Sequence, residues 1–132
     1  MKPQSAKQKG RRYQQWVRSA LLKVNPSLQP EDIESRSMGA QGEDLMLSPA
    51  ARALFPYSVE CKNQESLNVW NSYAQATANC GENQPALFIK RNRHKPLVVL
   101  DAEHFIQLAA AQSRLFRGTI FPDGWDGKQK EA

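Results

Sequence analysis

Two short segments determine the fold expected of this chain: GAQGEDLML at residues 39–47 and YSVECK at residues 57–62. Each has the length and apolar content of a short β-strand. Side chains alternate between the two faces of a strand, so Glu60 and Lys62 point to the same face. Asp44 on the first strand would join them at neighbouring strand ends. Two carboxylates and one ammonium group in that arrangement suit a hard divalent cation and a phosphate.

The turn that precedes the Asp44 strand is rich in glycine. Gly39 and Gly42 permit a tight turn and a close approach of a ligand to the backbone. In a regular strand the neighbouring Glu43 points away from Asp44, so we expect Glu43 on the surface.

Apolar spacing and turn residues predict the element order α-β-β-β-α-β-β-α. The first helix carries an apolar stripe that predicts a core position for Trp16, and the second has Trp70 on its apolar side. Ser48 and Pro49 begin a helical turn between the second and third strands. The predicted helices cover residues 10–23, 67–80 and 102–115, and the predicted strands cover residues 33–37, 43–47, 57–62, 86–89 and 97–100.

This order of elements predicts an α/β fold in which a mixed central β-sheet is flanked by helices. A chain of 132 residues is long enough to bury a hydrophobic core as one domain. We expect that domain over residues 9–115, with a basic flexible tail at residues 1–8 and a C-terminal tail at residues 116–132.

The charge of the chain is basic and unevenly distributed. The net charge is +5, and no acidic residue precedes Glu31. A basic surplus points to a polyanion such as nucleic acid or an anionic membrane surface. Cys61 and Cys80 form no paired pattern, and the sequence has neither an apolar leader nor a run of about 18 apolar residues. We therefore expect free thiols, a cytoplasmic setting and no membrane partner. His94 and His104 have no partner at metal-ligand spacing.

The order of elements around the Asp44 and Glu60 strands resembles that of the PD-(D/E)XK nuclease superfamily, and within it archaeal-type Holliday-junction resolvases and small phage recombination endonucleases. The resemblance covers about residues 9–112. KGRRYQ at residues 9–14 resembles the opening basic helix of the family. RSMGAQGEDL at residues 36–45 is similar to its arginine strand, turn and metal-binding aspartate. ECK at residues 60–62 matches the Glu-x-Lys signature. The resemblance implies a restriction-endonuclease-like core.

The resemblance also implies a role for each site residue. Asp44 and Glu60 become metal ligands and Lys62 the catalytic lysine, so that these three form the catalytic set. The main-chain carbonyl of Cys61 lies where it could add a third metal ligand. The expected cofactor is Mg²⁺, with Mn²⁺ as a substitute. Gln75 resembles a glutamine found beside this site in relatives. The residues expected to contact nucleic acid are Lys9, Arg11, Arg12, Arg36, Lys90 and Arg91.

One departure from the family pattern concerns the first helix. Relatives commonly carry a glutamate there that completes the acidic cluster, and the matching positions here are Gln14 and Gln15. Three alternatives follow from the missing carboxylate. One metal ion suffices, or Glu34 or Glu43 substitutes for the glutamate, or the activity is reduced.

The function expected from these features is metal-dependent hydrolysis of DNA phosphodiester bonds. The resemblance implies branched DNA as the substrate and a homodimer, because symmetric cleavage of a junction needs two active sites. Three alternatives stay open: a nuclease of the same fold that acts on duplex or single-stranded ends, a DNA-binding protein with weakened catalysis, and a basic scaffold protein.

Overall fold

The chain forms four α-helices and five β-strands within residues 3–37 and 39–116, which are the residues that the computed structural model describes. This confirms the predicted α/β class. The elements are α1 (Pro3–Val24), a 3₁₀ turn (Pro30–Asp32), β1 (Ile33–Ser35), β2 (Leu45–Leu47), α2 (Pro49–Leu54), β3 (Tyr57–Asn63), α3 (Val69–Ala78), β4 (Gln84–Lys90), β5 (Leu97–Val99) and α4 (Ala102–Phe116).

The strands form two small sheets that meet at the Asp44 segment. β1 and β2 pair antiparallel, whereas the second sheet has the order β3-β4-β5, with β3 parallel to β4 and β4 antiparallel to β5. The backbone amide of Asp44 donates to the carbonyl of Val59 over 2.8 Å and so joins the two sheets. The β3-β4-β5 sheet has the mixed strand pairing that the sequence predicts, but the strands form two sheets rather than one central sheet.

Helices α1 and α3 pack on opposite faces of the β3-β4-β5 sheet. Tyr13 and Val17 of α1 form a buried cluster with Val59 and Cys61, the residues of β3 that point away from Glu60. Helix α3 packs against β3 and β4 on the side of Glu60. The alternation predicted for β3 is confirmed, and it directs the carboxylate away from the apolar cluster under α1.

The first helix begins at Pro3 rather than at Gly10, so the segment predicted as a flexible tail belongs mostly to α1. Proline fits the first turn of a helix because its missing amide has no partner there, and residues 4–8 contain no helix breaker. The predicted boundary at residue 8 therefore falls inside a helix. At the other end α4 is described to Phe116, the first residue of the tail predicted at residues 116–132, and residues 117–132 lie outside the described residues.

The core position predicted for Trp16 is wrong, because its side chain is 52% exposed. It stacks beside Tyr13 at the margin of the stripe that α1 buries. The apolar side predicted for α3 is likewise not its buried side. Ser72 and Ala76, four residues apart, face the sheet, whereas Trp70 lies on the opposite side and is 86% exposed. Small residues face the sheet because α3 lies close to it.

Helix α4 covers the helix predicted at residues 102–115, but the fold leaves much of its apolar surface exposed. Phe105 and Ile106 are exposed, and Leu108 is partly so. A hydrogen bond of 2.7 Å between the Tyr57 hydroxyl and the His104 ring connects α4 to β3. Within residues 3–37 and 39–116, the structure contains no helix that combines the length and apolar character needed to cross a membrane.

Candidate active site

A polar cleft of about 460 Å³ opens between α1, the glycine turn, β3 and the end of α3. It brings together the three residues predicted to be catalytic, Asp44, Glu60 and Lys62. The glycine turn and the end of α3 complete its wall. The other predicted supporting residues, Gln14 and Gln75, also line it. The sequence pattern thus located most of the cleft.

Asp44 is fixed by the backbone on both sides. Its amide donates to Val59 of β3, and its side-chain Oδ2 accepts a hydrogen bond of 2.7 Å from the amide of Cys61. The Asp44 carboxylate therefore accepts the hydrogen bond that a backbone carbonyl of a neighbouring strand would accept from β3. The second oxygen of Asp44 can then face the cleft.

Glu60 is the centre of β3 and is only 2% exposed. Its Oε1 accepts a hydrogen bond of 3.1 Å from the side-chain amide of Asn79, which follows α3 directly. Asn79 was not among the predicted site residues. It lies four positions after Gln75 and so shares its helix face, which is the sequence signal that could have identified it.

Burial dominates the electrostatics of the two carboxylates. It raises the pKa of Glu60 to about 7, and the neighbouring Asp44 charge adds to the rise. Burial also raises the pKa of Asp44, although the Cys61 amide and the Lys62 ammonium both act to lower it. Two adjacent carboxyl groups of this kind hold a proton between them near neutral pH.

The donor set fits a hard divalent cation, because such an ion can replace the shared proton and relieve the repulsion between the carboxylates. One oxygen of Asp44 accepts from the Cys61 amide, and one oxygen of Glu60 accepts from the side-chain amide of Asn79. Within the part of the chain that the structure describes, no group of three or more His, Cys, Asp and Glu side chains is placed to hold a metal. The cleft therefore offers a cation two carboxylates, those of Asp44 and Glu60.

Gln14, and not Gln15, lines the cleft. Gln14 is 4% exposed, lines the cleft and lowers the pKa of Asp44 by hydrogen bonding. Gln15 is exposed and donates to the Ser35 hydroxyl over 3.0 Å. The α1 side of the cleft is therefore a neutral amide.

Neither acidic residue considered as a substitute for that glutamate lines the cleft. Glu43 forms an ion pair with Arg52 of α2, and its side chain is only 14% exposed, so the surface position predicted for it is wrong. The strand predicted from residue 43 begins only at Leu45, so Glu43 and Asp44 precede β2. Glu34 is exposed on β1. The alternative in which one of them substitutes for the glutamate is not supported, because neither side chain lines the cleft.

The glycine turn packs against Arg36. Gly42 has a φ of +109°, and a Cβ on it would lie 3.0 Å from the guanidinium carbon of Arg36. The Arg36 Nε donates to the carbonyl of Glu43 over 2.6 Å, which closes the turn. Arg36 also lines a hollow beside the cleft together with Arg11. A phosphate in this hollow, which shares Gln14 and Ser37 with the cleft, would lie beside two arginines.

The other residues predicted to contact nucleic acid fall into two groups. Arg11, Arg12 and Arg91 are exposed. Lys9 is 9% exposed and pairs with Glu65, and Lys90 donates to two carbonyls of its own turn. The latter two cations stabilise the fold around them.

Comparisons of this chain with models of protein families, with curated proteins and with solved structures found no match.

Proposed function

We propose that this protein is a Mg²⁺-dependent DNA endonuclease. The observation that carries the proposal is the pair of buried carboxylates, Asp44 and Glu60, in one cleft with Lys62. Burying a carboxylate costs several kcal/mol unless a partner offsets the lost hydration. Ionising two adjacent buried carboxyl groups destabilises the fold, and a divalent cation between them would offset that cost.

Each residue of the cleft has its own role in the proposed reaction. Asp44 and Glu60 hold the cation, with the main-chain carbonyl of Cys61 as a third ligand. When bound, Mg²⁺ lowers the pKa of water and neutralises phosphate charge. Lys62 orients or helps deprotonate the attacking water and offsets the negative charge that develops on the phosphate. Gln14 and Asn79 hold the carboxylates in position. Mn²⁺ can replace Mg²⁺ in an oxygen site of this kind.

The proposed substrate is DNA, and branched DNA in particular. The exposed Arg11 and Arg12 on α1 and Arg91 beyond β4 would contact the phosphate backbone, which provides affinity without reading base sequence.

The mixed strand pairing supports a restriction-endonuclease-like core. The exposed Phe105 and Ile106 of α4 support a homodimer, and sedimentation of wild type and Phe105→Glu would test it.

A cleavage assay tests the proposal. Labelled four-way junctions, flaps, duplexes and single strands are incubated with Mg²⁺ and with either wild type, Asp44→Asn or Glu60→Gln. We expect the wild type to cut and both variants to be inactive. Glu34→Gln is the control, because it removes the same charge from an exposed site outside the cleft. Equal cleavage by Glu60→Gln and Glu34→Gln would overturn the assignment. The preferred DNA structure separates a junction enzyme from a duplex or end nuclease.

A second candidate function is DNA binding without efficient catalysis. It is favoured by the neutral Gln14 on the α1 side of the cleft, which leaves the site with two carboxylates. Fold alone does not ensure activity. Tight binding of branched DNA with no cleavage in Mg²⁺ or Mn²⁺ would establish this function instead.

A further inference from the structure

A second cavity, of about 270 Å³, lies beyond the carboxyl ends of the parallel strands β3 and β4. Its floor is apolar and is formed by Leu67, Val69, Ile89 and Leu97. Its rim comes from the turn between β4 and β5, which contributes several cationic side chains. We call this cavity the turn pocket. Crevices at the carboxyl ends of parallel strands are common ligand sites.

The strand register places the turn pocket beside the cleft. Lys62 is paired with Ile89, and Ile89 is paired with Leu97. Paired residues point to the same face of a sheet, so these three form a row across the face that carries Glu60. Neighbouring strands are about 4.8 Å apart, so Leu97 is roughly 10 Å from Lys62. A DNA strand with one phosphate at the cleft would reach the turn pocket within a nucleotide or two.

The rim of the turn pocket has an excess of available positive charge. Arg91 and Lys95 are exposed on it. Glu65 is the acidic residue of the lining, and it already accepts hydrogen bonds from the Asn92 amide over 2.7 Å and from Lys9 over 3.3 Å. Its charge is therefore largely offset. A cationic rim above an apolar floor matches a group that combines a phosphate with a flat, weakly polar ring.

We propose that the turn pocket binds an unpaired nucleobase of the DNA substrate, with the adjoining phosphate on Arg91 and Lys95. A base in a duplex has both faces stacked and its pairing edge occupied, so it cannot enter a concave pocket. An unpaired base at a branch or flap can. This inference rests on the proposed nuclease function and deepens it, because it explains a selectivity for branched over continuous duplex DNA.

A binding experiment tests this inference. A labelled forked DNA is bound to the wild type in EDTA, and abasic sites are introduced one at a time into the unpaired nucleotides nearest the fork. Abasic sites keep the phosphate and remove the base. We expect one position at which loss of the base weakens binding about 5- to 20-fold, the lower part of the range for a base that stacks on a protein side chain.

Two variants on one strand give a matched comparison. Leu97 lines the turn pocket and is 47% exposed, while Val98 is 46% exposed and points to the other face of the sheet. Leu97→Glu should weaken binding of the intact fork about 5- to 20-fold and abolish the sensitivity to the abasic site. Val98→Glu should behave like the wild type. Thermal unfolding of both variants verifies that each is folded.

A third variant probes the rim without touching the floor. Arg91→Ala should lower affinity for all substrates alike, reduce the salt dependence by about one counterion, and leave the abasic effect in place. This substitution is at an exposed position and does not disturb the core.

Each outcome distinguishes the two proposals. If no abasic site weakens wild-type binding, or if Leu97→Glu matches Val98→Glu, the turn pocket does not bind a base, whatever the cleavage assay shows. If binding depends on the base but Mg²⁺ supports no cleavage, the nuclease function is wrong and the pocket assignment stands. If the wild type binds no DNA at all, both are overturned.

Discussion

The cleft and the turn pocket lie along one face of the same sheet but hold their polar groups in opposite ways. In the cleft, Glu60 is buried and bound by Asn79, and Asp44 is bound by the Cys61 amide. In the turn pocket the charges are exposed and the buried surface is apolar. Fixed, desolvated charges suit chemistry, because they need no reorganisation during the reaction. Exposed charges on flexible side chains suit binding.

The largest expected difference between the cleft and the turn pocket is the effect on kcat of replacing one lysine in each of them. Lys62→Met should reduce kcat about 10²- to 10³-fold, because it removes charge stabilisation at the reacting phosphate. Lys95→Met should reduce affinity only about two- to fivefold and leave kcat unchanged, because it removes one phosphate contact. Single-turnover cleavage over a range of enzyme concentrations measures both parameters. A similar loss of kcat in the two variants would contradict the division between chemistry and binding.

A pH dependence of stability should originate in the cleft. The unfolded chain releases the Glu60 proton near its ordinary pKa of 4.5, whereas the folded protein keeps it until about pH 7. The folded state therefore binds more protons in this window, and stability falls as pH rises through it. The free energy of unfolding should decrease by roughly 2–3 kcal/mol between pH 5 and pH 7.5 without divalent metal.

Urea unfolding at the two pH values measures that decrease. Glu60→Gln should flatten the profile, because the variant has no proton to release there. Mg²⁺ should restore more stability at pH 7.5 than at pH 5, since a cation competes with the shared proton. A wild-type profile that rises over this window would show that the carboxylates are not held as the cleft places them.

The neutral amide in the cleft can be converted into a third carboxylate. Gln14→Glu should tighten Mg²⁺ binding about tenfold, because the number of ligand charges sets the affinity of such sites. Without metal the same variant should be less stable at pH 7.5, since it adds a buried negative charge. Calorimetric titration with Mg²⁺ measures the affinity. Gln15→Glu is the matched control, one residue along on the exposed side of α1, and should leave the affinity unchanged.

The smallest expected loss of kcat concerns Asn79, which positions Glu60 and does not itself react. Asn79→Ala should lower kcat about three- to tenfold through looser placement of the carboxylate. Its hydrogen bond lowers the pKa of Glu60, so its loss should also shift the rise of the pH–rate profile to higher pH. The exposed Asn71 of α3 provides the control. A lower kcat with an unshifted profile in Asn79→Ala would indicate a merely structural role.

Local sequence accounts for the elements but not for their ends or their burial. The alternation of β3 is visible in YSVECK because each strand residue faces one side or the other. The start of α1 at Pro3 was missed because polar residues at its N-terminus carry no apolar period. Trp16 and Trp70 lie on apolar stripes by sequence and yet are exposed. Helical periodicity identifies a stripe, but only a neighbouring element determines whether that stripe is covered.

The sequence by itself determined that Asp44, Glu60 and Lys62 are candidates for one site, since short-range alternation and strand order suffice for that inference. Only the tertiary structure distinguished Gln14 from Gln15, excluded Glu34 and Glu43 from the cleft, and added Asn79. Those distinctions depend on how α1 is rotated against β3 and where α3 ends. Such rotations are fixed by the packing of side chains that are distant in sequence, and no local pattern records them.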